Sequence, residues 1–416
     1  MKSIFHQRDR AGADAEERAR RESPAAVHWD LPIGEHSMFA LMTPEIAALI
    51  ERIMSFEPKI QAQWNRLPDR ACSHYLYHMV IDEIQATNEI EQVRSTRKEI
   101  SEAIEMVRSE QPLSRKRFAE MARLYLAIGN NQAESPQTLD DIRAAYDAVT
   151  RGEIPVEDSP DGKRFRRGSV SITSGTKIVH TGVVPESAID DALTLMLSQG
   201  RDDSIPRLIR AVVAHFVFEY THPFYDGNGR TGRYLLALDL KQVLAPYASL
   251  ALSATVADNK DRYYKAFSDA ENPLNRGDLT PYLIVMLEII AEAQHRLLLD
   301  LSERRQTIET IEERIRVLVE DKEFPLSVGL DRESAPPVDS NDIGAVLFTL
   351  GQAHCFDANR AVKLNTLAET VGRSSQFVRP RLRRLDDAGI IETVTKKPLR
   401  FRLTARGVSL LELDRE

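Results

Sequence analysis

The stretch His222-Pro-Phe-Tyr-Asp-Gly-Asn-Gly-Arg-Thr-Gly-Arg233 places a base, a carboxylate, an amide, three glycines and two arginines within twelve residues. Its glycines allow backbone angles that bring a chain close to an anion. The apolar, proline-free residues 231–243 predict a buried helix, whose first N–H groups and dipole would favour bound phosphate. Arg230 and Arg233 are three residues apart, so on a helix they share a face and can both hold phosphate oxygens. The stretch therefore predicts a polyphosphate site at the start of a buried helix.

Two further side chains in the stretch have the chemistry of phosphoryl or nucleotidyl transfer. His222 is the one group there that can act as a general base near neutral pH. Asp226 is a hard oxygen ligand of the kind that a phosphate-bridging Mg²⁺ needs. A Walker A loop is excluded because no Gly-Lys-Ser/Thr follows at the required spacing. A plain glycine turn beside a core histidine is the alternative, and the conjunction of groups favours the functional site.

The composition fits a chain of two or three domains in a reducing compartment. The 416 residues are 42% hydrophobic and carry a net charge of −8, which argues against a protein that generally coats nucleic acid. Cys72 and Cys355 are too few for a disulfide framework or a zinc site. No apolar run approaches the ~18 residues of a membrane span, and the N-terminus lacks an apolar signal core. We therefore expect a cytoplasmic protein without a membrane partner.

The opening stretch resembles the signature of the Fic (filamentation induced by cAMP) family, HPFx(D/E)GNGRxxR, and fits it at every specified position. The resemblance implies a protein adenylyltransferase (AMPylator), which moves AMP from ATP to a Ser, Thr or Tyr hydroxyl of a target protein, itself included. It implies that His222 is the general base, that Asp226 is the ligand of Mg²⁺, and that Arg233 binds the γ-phosphate. The implied nucleotide-binding residues of the stretch are Phe224, Gly227, Asn228, Gly229, Arg230 and Arg233.

A second resemblance lies at the end of a helix predicted over residues 75–90. Thr87-Asn-Glu-Ile-Glu91-Gln92 is similar to the inhibitory motif (S/T)xxxE(G/N) of many Fic proteins, but Gln92 stands where Gly or Asn is usual. The resemblance implies that Glu91 pairs with Arg233 in the space of the γ-phosphate. This is physically sensible because carboxylate and phosphate are both bidentate acceptors for one guanidinium group. A surface glutamate in an acid-rich helix is the alternative, and Gln92 leaves the tightness of inhibition open.

Residues 169–184 predict the only good hairpin in the first 300 residues. In the Fic family a hairpin flap at this place aligns the target's hydroxyl-bearing segment, as an exposed strand edge can do through its free N–H and C=O groups. An ordinary structural hairpin is the alternative, and His180 within it is interpreted as structural. The predicted target-docking residues are Ile172, Thr173, Lys177, Ile178 and Val179.

Beyond the signature, residues 258–267 resemble the family segment that closes over the nucleotide. By this resemblance Tyr263 or Tyr264 would touch adenine or ribose, since aromatic rings stack on bases, and Asn259 is a weaker candidate. Two tyrosines on a helix are core residues as often as ligands. His215 is interpreted as a packing residue.

The C-terminal segment predicts a helix over 364–372, a second helix capped at Ser374 and a hairpin over 390–403. This order resembles a winged helix-turn-helix domain. Residues 373–406 hold ten lysines and arginines against three acidic residues, a candidate footprint for the DNA phosphate backbone. Winged helices also dock proteins, and Pro380 weakens DNA recognition unless it lies in the first helical turn. A DNA or a protein partner therefore stays open.

We expect a mainly α fold, in which a Fic-type helical core with a β-hairpin flap precedes a small winged helix-turn-helix domain. The predicted divisions are a mobile tail at 1–30, an N-terminal helical region with the inhibitory helix at 31–130, the Fic core at 131–300, a helical spacer and linker at 301–340, and the winged domain at 341–416.

Alternative functions stay open at this point. Similar Fic sites use other nucleotides or phosphocholine, and the inhibitory glutamate can position water for removing AMP. A DNA-binding regulator whose pocket senses a nucleotide is a candidate from another class. His222 and Arg233 favour an enzyme, because a sensor has no need of a base. The target protein and the oligomeric state, a homodimer included, are left undetermined.

Overall fold

The computed structural model describes residues 1–7, 10–108, 116–174, 177–321, 339–356 and 360–413. The chain divides into two compact units, one of residues 1–61 and 79–298 and the other of residues 62–78 and 299–416. Both are mainly helical with small β-hairpins or sheets, which confirms the predicted fold class.

The elements up to the signature are the following: α1 Lys2–Gln7, α2 Arg10–Arg21, β1 Ala26–Ile33, β2 His36–Leu41, α3 Pro44–Trp64, α4 Asp69–Ile90, α5 Arg97–Arg108, α6 Ala119–Gly129, α7 Leu139–Val149, β3 Ser171–Ser174, β4 Lys177–Thr181, α8 Glu186–Gln199 and α9 Arg207–Thr221. From the signature onward they are α10 Asn228–Leu240, α11 Pro246–Ser249, α12 Leu252–Asp258, α13 Lys260–Ala270, α14 Thr280–Glu320, α15 Ser340–Phe356, β5 Val362–Lys363, α16 Leu364–Val371, α17 Ser375–Asp387, β6 Ile391–Lys396, β7 Leu399–Leu403 and α18 Ala405–Leu410.

Helices α9 and α10 pack against each other and hold the signature loop between them. One face of α9 is an apolar stripe that is buried, with Leu208 and Phe216 among its members. Helix α10 begins at Asn228, three residues before the predicted start, because Gly227 adopts a left-handed conformation (φ 80°) at its N-cap. The free N–H groups of its first turn therefore belong to the signature itself.

The N-terminal segment, which was predicted to be a mobile tail, contains α1 and α2. Arg20 of α2 forms an ion pair with buried Asp278 at 2.8 Å, and Glu17 pairs with Arg276 at 2.6 Å. Charged side chains of α2 are thus ion-paired with the segment that precedes α14.

A second hairpin in the first 300 residues corrects the expectation that only one exists. Strands β1 and β2 pair antiparallel, with an irregular register between Trp29 and Pro32. Trp29, Leu31 and Ile33 alternate inward and are buried. This two-residue period is the strand signal, but Pro32 made the segment look unlike a strand.

Helix α14 runs without interruption from Thr280 to Glu320 and so continues past residue 300, the predicted end of the Fic core. Of the predicted spacer and linker at 301–340, residues 322–338 lie outside the described residues. In the C-terminal region, the two helices and the hairpin are present, and Ser374 caps α17 through Phe377 N at 3.3 Å. Helix α15 and strand β5 were not predicted, and β5, β7 and β6 form one three-stranded sheet in that order.

The C-terminal region has its own apolar core. The core is built from one face each of α15, α16 and α17 together with the sheet, and includes Leu347, Leu367, Leu382 and Phe401. Within the described residues of the whole chain, none of the helices combines the length and the apolarity that crossing a membrane requires.

Candidate active site

His222 lies at the C-terminal end of α9, in a left-handed conformation with φ 50° and ψ 62°. Burial, together with electrostatic interaction with nearby His180, lowers the pKa of the His222 imidazole to about 3. The ring is therefore neutral at physiological pH and has the protonation state that a general base requires.

The flap brings His180 next to this histidine. The two rings are 5.7 Å apart between centroids, and His180 Nδ1 lies 2.6 Å from a carboxylate oxygen of Glu271. His180 was interpreted as structural, whereas the structure places it beside the predicted base.

Two predicted nucleotide-binding residues brace the loop from inside. Asn228 Oδ1 accepts a hydrogen bond from Phe224 N at 2.9 Å, and Asn228 Nδ2 donates to Phe224 O at 2.8 Å. The Phe224 ring stacks on Tyr146 with 3.6 Å between ring centroids. Both side chains are buried, so here they shape the loop backbone.

Arg233 is buried and meets the residues of the resembling inhibitory motif. Its Nη2 lies 2.8 Å from Glu91 Oε1 and donates to Thr87 O at 3.0 Å, while its Nε donates to Thr87 Oγ1 at 2.8 Å. Burial works against the charged form, but the Glu91 carboxylate and nearby tyrosines hold the pKa of Arg233 above its usual value. A Cβ added at Gly229 would collide with Glu91 Oε1.

Arg230 is engaged differently. Its guanidinium forms a buried ion pair with Glu153. The other oxygen of Glu153 accepts from Arg117 Nε at 3.0 Å, and Arg117 Nη1 donates to Arg94 O at 2.8 Å. A phosphate contact by Arg230 stays a prediction, and the pair with Glu153 was not foreseen.

Asp226 is exposed in the loop, and its Oδ1 accepts from Gly227 N at 2.5 Å. The fit to a metal is good, because Mg²⁺ is usually bound by one or two carboxylates together with phosphate oxygens and water. Among the described residues, no group of three or more His, Cys, Asp or Glu is arranged to hold a metal ion.

The two predicted tyrosines differ in their exposure to solvent. Tyr263 is buried, and its hydroxyl lies 2.8 Å from His215 Nε2. Tyr264 is 42% exposed and keeps a face available for a base. His215 is buried as a packing residue, and burial lowers its pKa to about 3. Asn259 donates to Thr255 O at 3.0 Å within its own helix end.

The flap is an antiparallel pair with a register irregularity between Ile172 and Thr173. Ile172, Ile178 and Val179 are exposed apolar side chains. Thr173 and Lys177 belong to β3 and β4 by their backbone. The predicted docking residues therefore lie on one exposed hairpin.

Sequence reasoning missed Glu153, Arg166 and Glu219. Glu219 Oε1 is buried and forms no hydrogen bond within the described part of the chain, and burial raises the pKa of this carboxyl to about 8. The available signal was a carboxylate inside the buried stripe of α9, three residues before His222. Arg166 belongs to a basic run of the sequence, residues 163–167, that looks like an ordinary loop.

Comparison with known proteins identifies part of the chain. Residues 136–240 match the model of the Fic/DOC family. This part of the chain is similar to a Fic domain. The matched range includes the flap, Arg166 and the whole signature, whereas Glu91 and Tyr264 lie outside it.

Relatives of the Fic domain cover a limited part of both sequences. Protein adenylyltransferase fic-1 of Caenorhabditis briggsae is 30% identical over 149 residues, which are 35% of this chain and 26% of that protein. Protein adenylyltransferase Fic of Drosophila grimshawi is 29% identical over 151 residues, 35% of this chain and 27% of that protein. The chain thus spans about a quarter of the length of these curated relatives, to which the matched segment is distantly similar.

Two solved structures are similar to this chain at low sequence identity. A Fic family protein from Desulfovibrio desulfuricans G20 is 21% identical with a TM-score of 0.49, covering 88% of this chain and 97% of that one. Fic-1 (residues 134–508) from C. elegans is 20% identical with a TM-score of 0.41, covering 62% of this chain and 75% of that one.

Proposed function

We propose that this chain is a protein adenylyltransferase that transfers AMP from ATP to a Ser, Thr or Tyr hydroxyl of a target protein, and that Glu91 holds it in an inhibited state. The proposal rests on one observation. His222, whose ring is neutral, lies in the loop that leads into the N-terminus of α10, where free N–H groups can bind an anion. Both sit at one loop, where Arg233 is held by Glu91 at 2.8 Å.

In the proposed reaction, the target hydroxyl oxygen attacks the α-phosphorus of ATP while His222 accepts the hydroxyl proton. The bond between the α-phosphorus and the bridging oxygen breaks, and pyrophosphate leaves. Burial keeps the His222 imidazole in its neutral form, in which one ring nitrogen has a lone pair for this proton. Positioning and electrostatic stabilisation supply most of the rate in such transfers.

The phosphate chain would lie over the N-terminus of α10, whose first N–H groups are free to donate to it. Asp226 would hold Mg²⁺, which neutralises charge on the phosphates when bound. Arg233 would bind the γ-phosphate once Glu91 has left, and Tyr264 offers an exposed ring for the base.

Labelled ATP tests the proposal directly. In a Glu91→Gly background, label from α-³²P-ATP should enter the protein or a partner protein from lysate, and label from γ-³²P-ATP should not. Glu91→Gly combined with His222→Ala should abolish the α-label. Equal incorporation with and without His222, or incorporation of the γ-label, would refute the mechanism.

The same assay separates the other activities of such a site. Loss of AMP from a premodified protein, dependent on Glu91, would indicate de-AMPylation. Preferential incorporation from GTP, UTP or CDP-choline would indicate another donor. Nucleotide binding without any incorporation in the Glu91→Gly variant would favour a sensor.

A DNA-binding role is a second candidate, and the exposed face of α17 favours it. Gln376, Arg379 and Arg383 are exposed at helical spacing, opposite buried Val378, Leu382 and Leu385. Lys396 and Lys397 are exposed at the turn of the following hairpin. A helix with such a face beside a basic hairpin suits a duplex groove and its phosphates. Pro380 lies beyond the first turn of α17, which counts against this role.

A gel shift at several salt concentrations tests this second candidate. Arg379→Ala and Arg383→Ala should each reduce the salt dependence of duplex binding by about one ion. Arg316→Ala, an exposed arginine of α14, is the control and should leave binding unchanged. Failure of the wild type to bind any duplex at low salt would reject the role and leave a protein-docking surface.

A further inference from the structure

Arg166 lies at the junction of the flap and the signature loop, and its side chain is fully buried. Its Nε donates to His222 O at 2.8 Å, and its Nη2 donates to Thr221 O at 3.3 Å. The same guanidinium donates from Nη1 to Gly168 O at 2.6 Å and from Nη2 to Val183 O at 2.9 Å.

All four acceptors are backbone carbonyls, so hydrogen bonds rather than a carboxylate compensate the buried charge within the described contacts. Burial lowers the pKa of Arg166 accordingly. Burying a charge in this way is costly, and only a planar fork with five donors can satisfy several carbonyls in fixed directions. Arg166 therefore does not act as a stabilising ion pair. It fixes the positions of four backbone carbonyls, and we call this arrangement the clamp.

Two of the carbonyls that Arg166 holds, those of Thr221 and His222, lie at the end of α9, where the last carbonyls have no partner inside the helix. Thr221 O also accepts from Val183 N at 3.1 Å. His222 is in the left-handed region, which few non-glycine residues adopt, although histidine adopts it more readily than most. The surrounding contacts fix this conformation. Arg166 N adds a further bond to Pro223 O at 3.1 Å.

The remaining two acceptors belong to the two ends of the flap. Gly168 precedes β3, and Val183 follows β4. The approach is close, since a Cβ added at Gly182 would collide with Arg166 Nη2 and crowd His222. One guanidinium group thus connects both ends of the flap to the backbone of the predicted base.

We propose that Arg166 is a positioning residue that fixes the position of His222 relative to the target-docking flap. This inference rests on the proposed adenylyl transfer. The target hydroxyl, aligned by the flap, must meet the His222 ring for proton transfer. Loosening this clamp misplaces the base relative to the hydroxyl, while the phosphate site on α10 stays formed. The transfer step should suffer and nucleotide binding should not.

The test compares Arg166→Lys and Arg166→Ala with Arg167→Ala, an adjacent exposed arginine, all in the Glu91→Gly background. Arg166→Lys should lower kcat by about 100-fold, the loss typical of a displaced catalytic group, with KM for ATP changed less than about threefold. Arg167→Ala should match its parent. For Arg166→Ala, millimolar guanidinium should restore part of kcat, whereas ammonium should not.

Hydrogen exchange gives a readout that does not depend on turnover. Peptides containing residues 221–226 and 182–184 should exchange faster in Arg166→Lys, whereas those from the second half of α10 should be unchanged. If the Glu91→Gly parent incorporates no nucleotide, the proposed function fails while this measurement still decides the role of Arg166. Three outcomes would overturn the positioning role. The first is unchanged hydrogen exchange, and the second is a kcat equal to that of the parent. The third is an equal loss of ATP binding, folding and kcat in both Arg166 variants.

Discussion

Two arginines of one helix, Arg230 and Arg233, are each paired with a glutamate, and the two pairs differ in how they are enclosed. The Glu153 side chain is 6% exposed, and Arg117 holds its second oxygen. The Glu91 side chain is 29% exposed and follows the last residue of α4. The arginine is almost fully buried in both pairs.

The two pairs differ in what would happen if each were separated. Under the proposed function, Glu91 turns toward solvent and an incoming phosphate takes its place on Arg233. Glu153 is enclosed and stays bound to Arg117, so separating it from Arg230 would leave the buried charge of Arg230 without a partner. The same chemistry therefore suits the proposed switch at Arg233 and a fixed structural pair at Arg230.

The largest effect is expected from breaking the enclosed pair. Glu153→Gln should lower the free energy of unfolding by about 3–5 kcal/mol, because it strands the buried charge of Arg230. Urea unfolding followed by circular dichroism measures this loss. Glu157→Gln, at an exposed position nearby, should be neutral, and a similar small loss in both variants would contradict the structural role of Glu153.

Opening the other pair should mainly change activity, and it should cost less stability than Glu153→Gln because Thr87 still accepts two hydrogen bonds from Arg233. Glu91→Gly should raise nucleotide incorporation by about 5–150-fold, the usual range for coupling between an effector and a site. The reason is that Arg233 becomes available to the γ-phosphate. Glu89→Gly, an exposed residue on the same helix, controls for the glycine. A wild type already as active as Glu91→Gly would show that Glu91 does not inhibit.

Glu219 sharpens the comparison because it is a third carboxylate near Arg233. Its pKa is raised to about 8 from the ordinary 4.5 by burial, although Arg233 opposes this. Between these values the folded state keeps a proton that the unfolded state releases, so stability falls as pH rises. The slope is about 1.4 kcal/mol per pH unit at most.

Glu219→Gln should remove this slope and become progressively more stable than the wild type from pH 5 to pH 7.5. Thermal unfolding at four pH values measures the difference. Glu271→Gln, a part-buried carboxyl of the flap contact, provides a comparison at a site bonded to His180. A constant difference between wild type and Glu219→Gln across this range would mean that Glu219 is ionised in the folded protein.

The smallest effect is expected from the outer member of the enclosed network. Arg117 is 39% exposed, so Arg117→Ala should cost less than about 1 kcal/mol. Comparing it with Glu153→Gln in a double-mutant cycle would measure how much Arg117 supports Glu153. A loss as large as that of Glu153→Gln would place the main support of the pair at Arg117.

Sequence reasoning succeeded where the determinants are close together in the chain. The signature and the helices around it followed from local motifs, whereas the Glu91–Arg233 contact joins residues 142 positions apart and followed from the family resemblance. It failed for Glu153 and Arg166, whose partners lie 77 and 56 residues away. No local pattern records such pairs, because they depend on how helices and loops pack.

Element ends and side-chain directions were also hard to predict. Tyr263 and Tyr264 are neighbours in sequence, but helical geometry points one into the core and leaves the other exposed. Helix α10 starts earlier than its apolar residues suggest, because the conformation of Gly227 rather than hydrophobicity sets its first turn.

The missing side chain of Gly229 limits the mutational routes to constitutive activity. Any larger residue there would compete with Glu91 for the same space and would evict it, but the same substitution would also obstruct the backbone that should cradle phosphate. A substitution at residue 229 that displaces Glu91 would therefore also impair phosphate binding. Selection for a permanently active enzyme should instead find its mutations in the Glu91 segment, which can change without altering the loop.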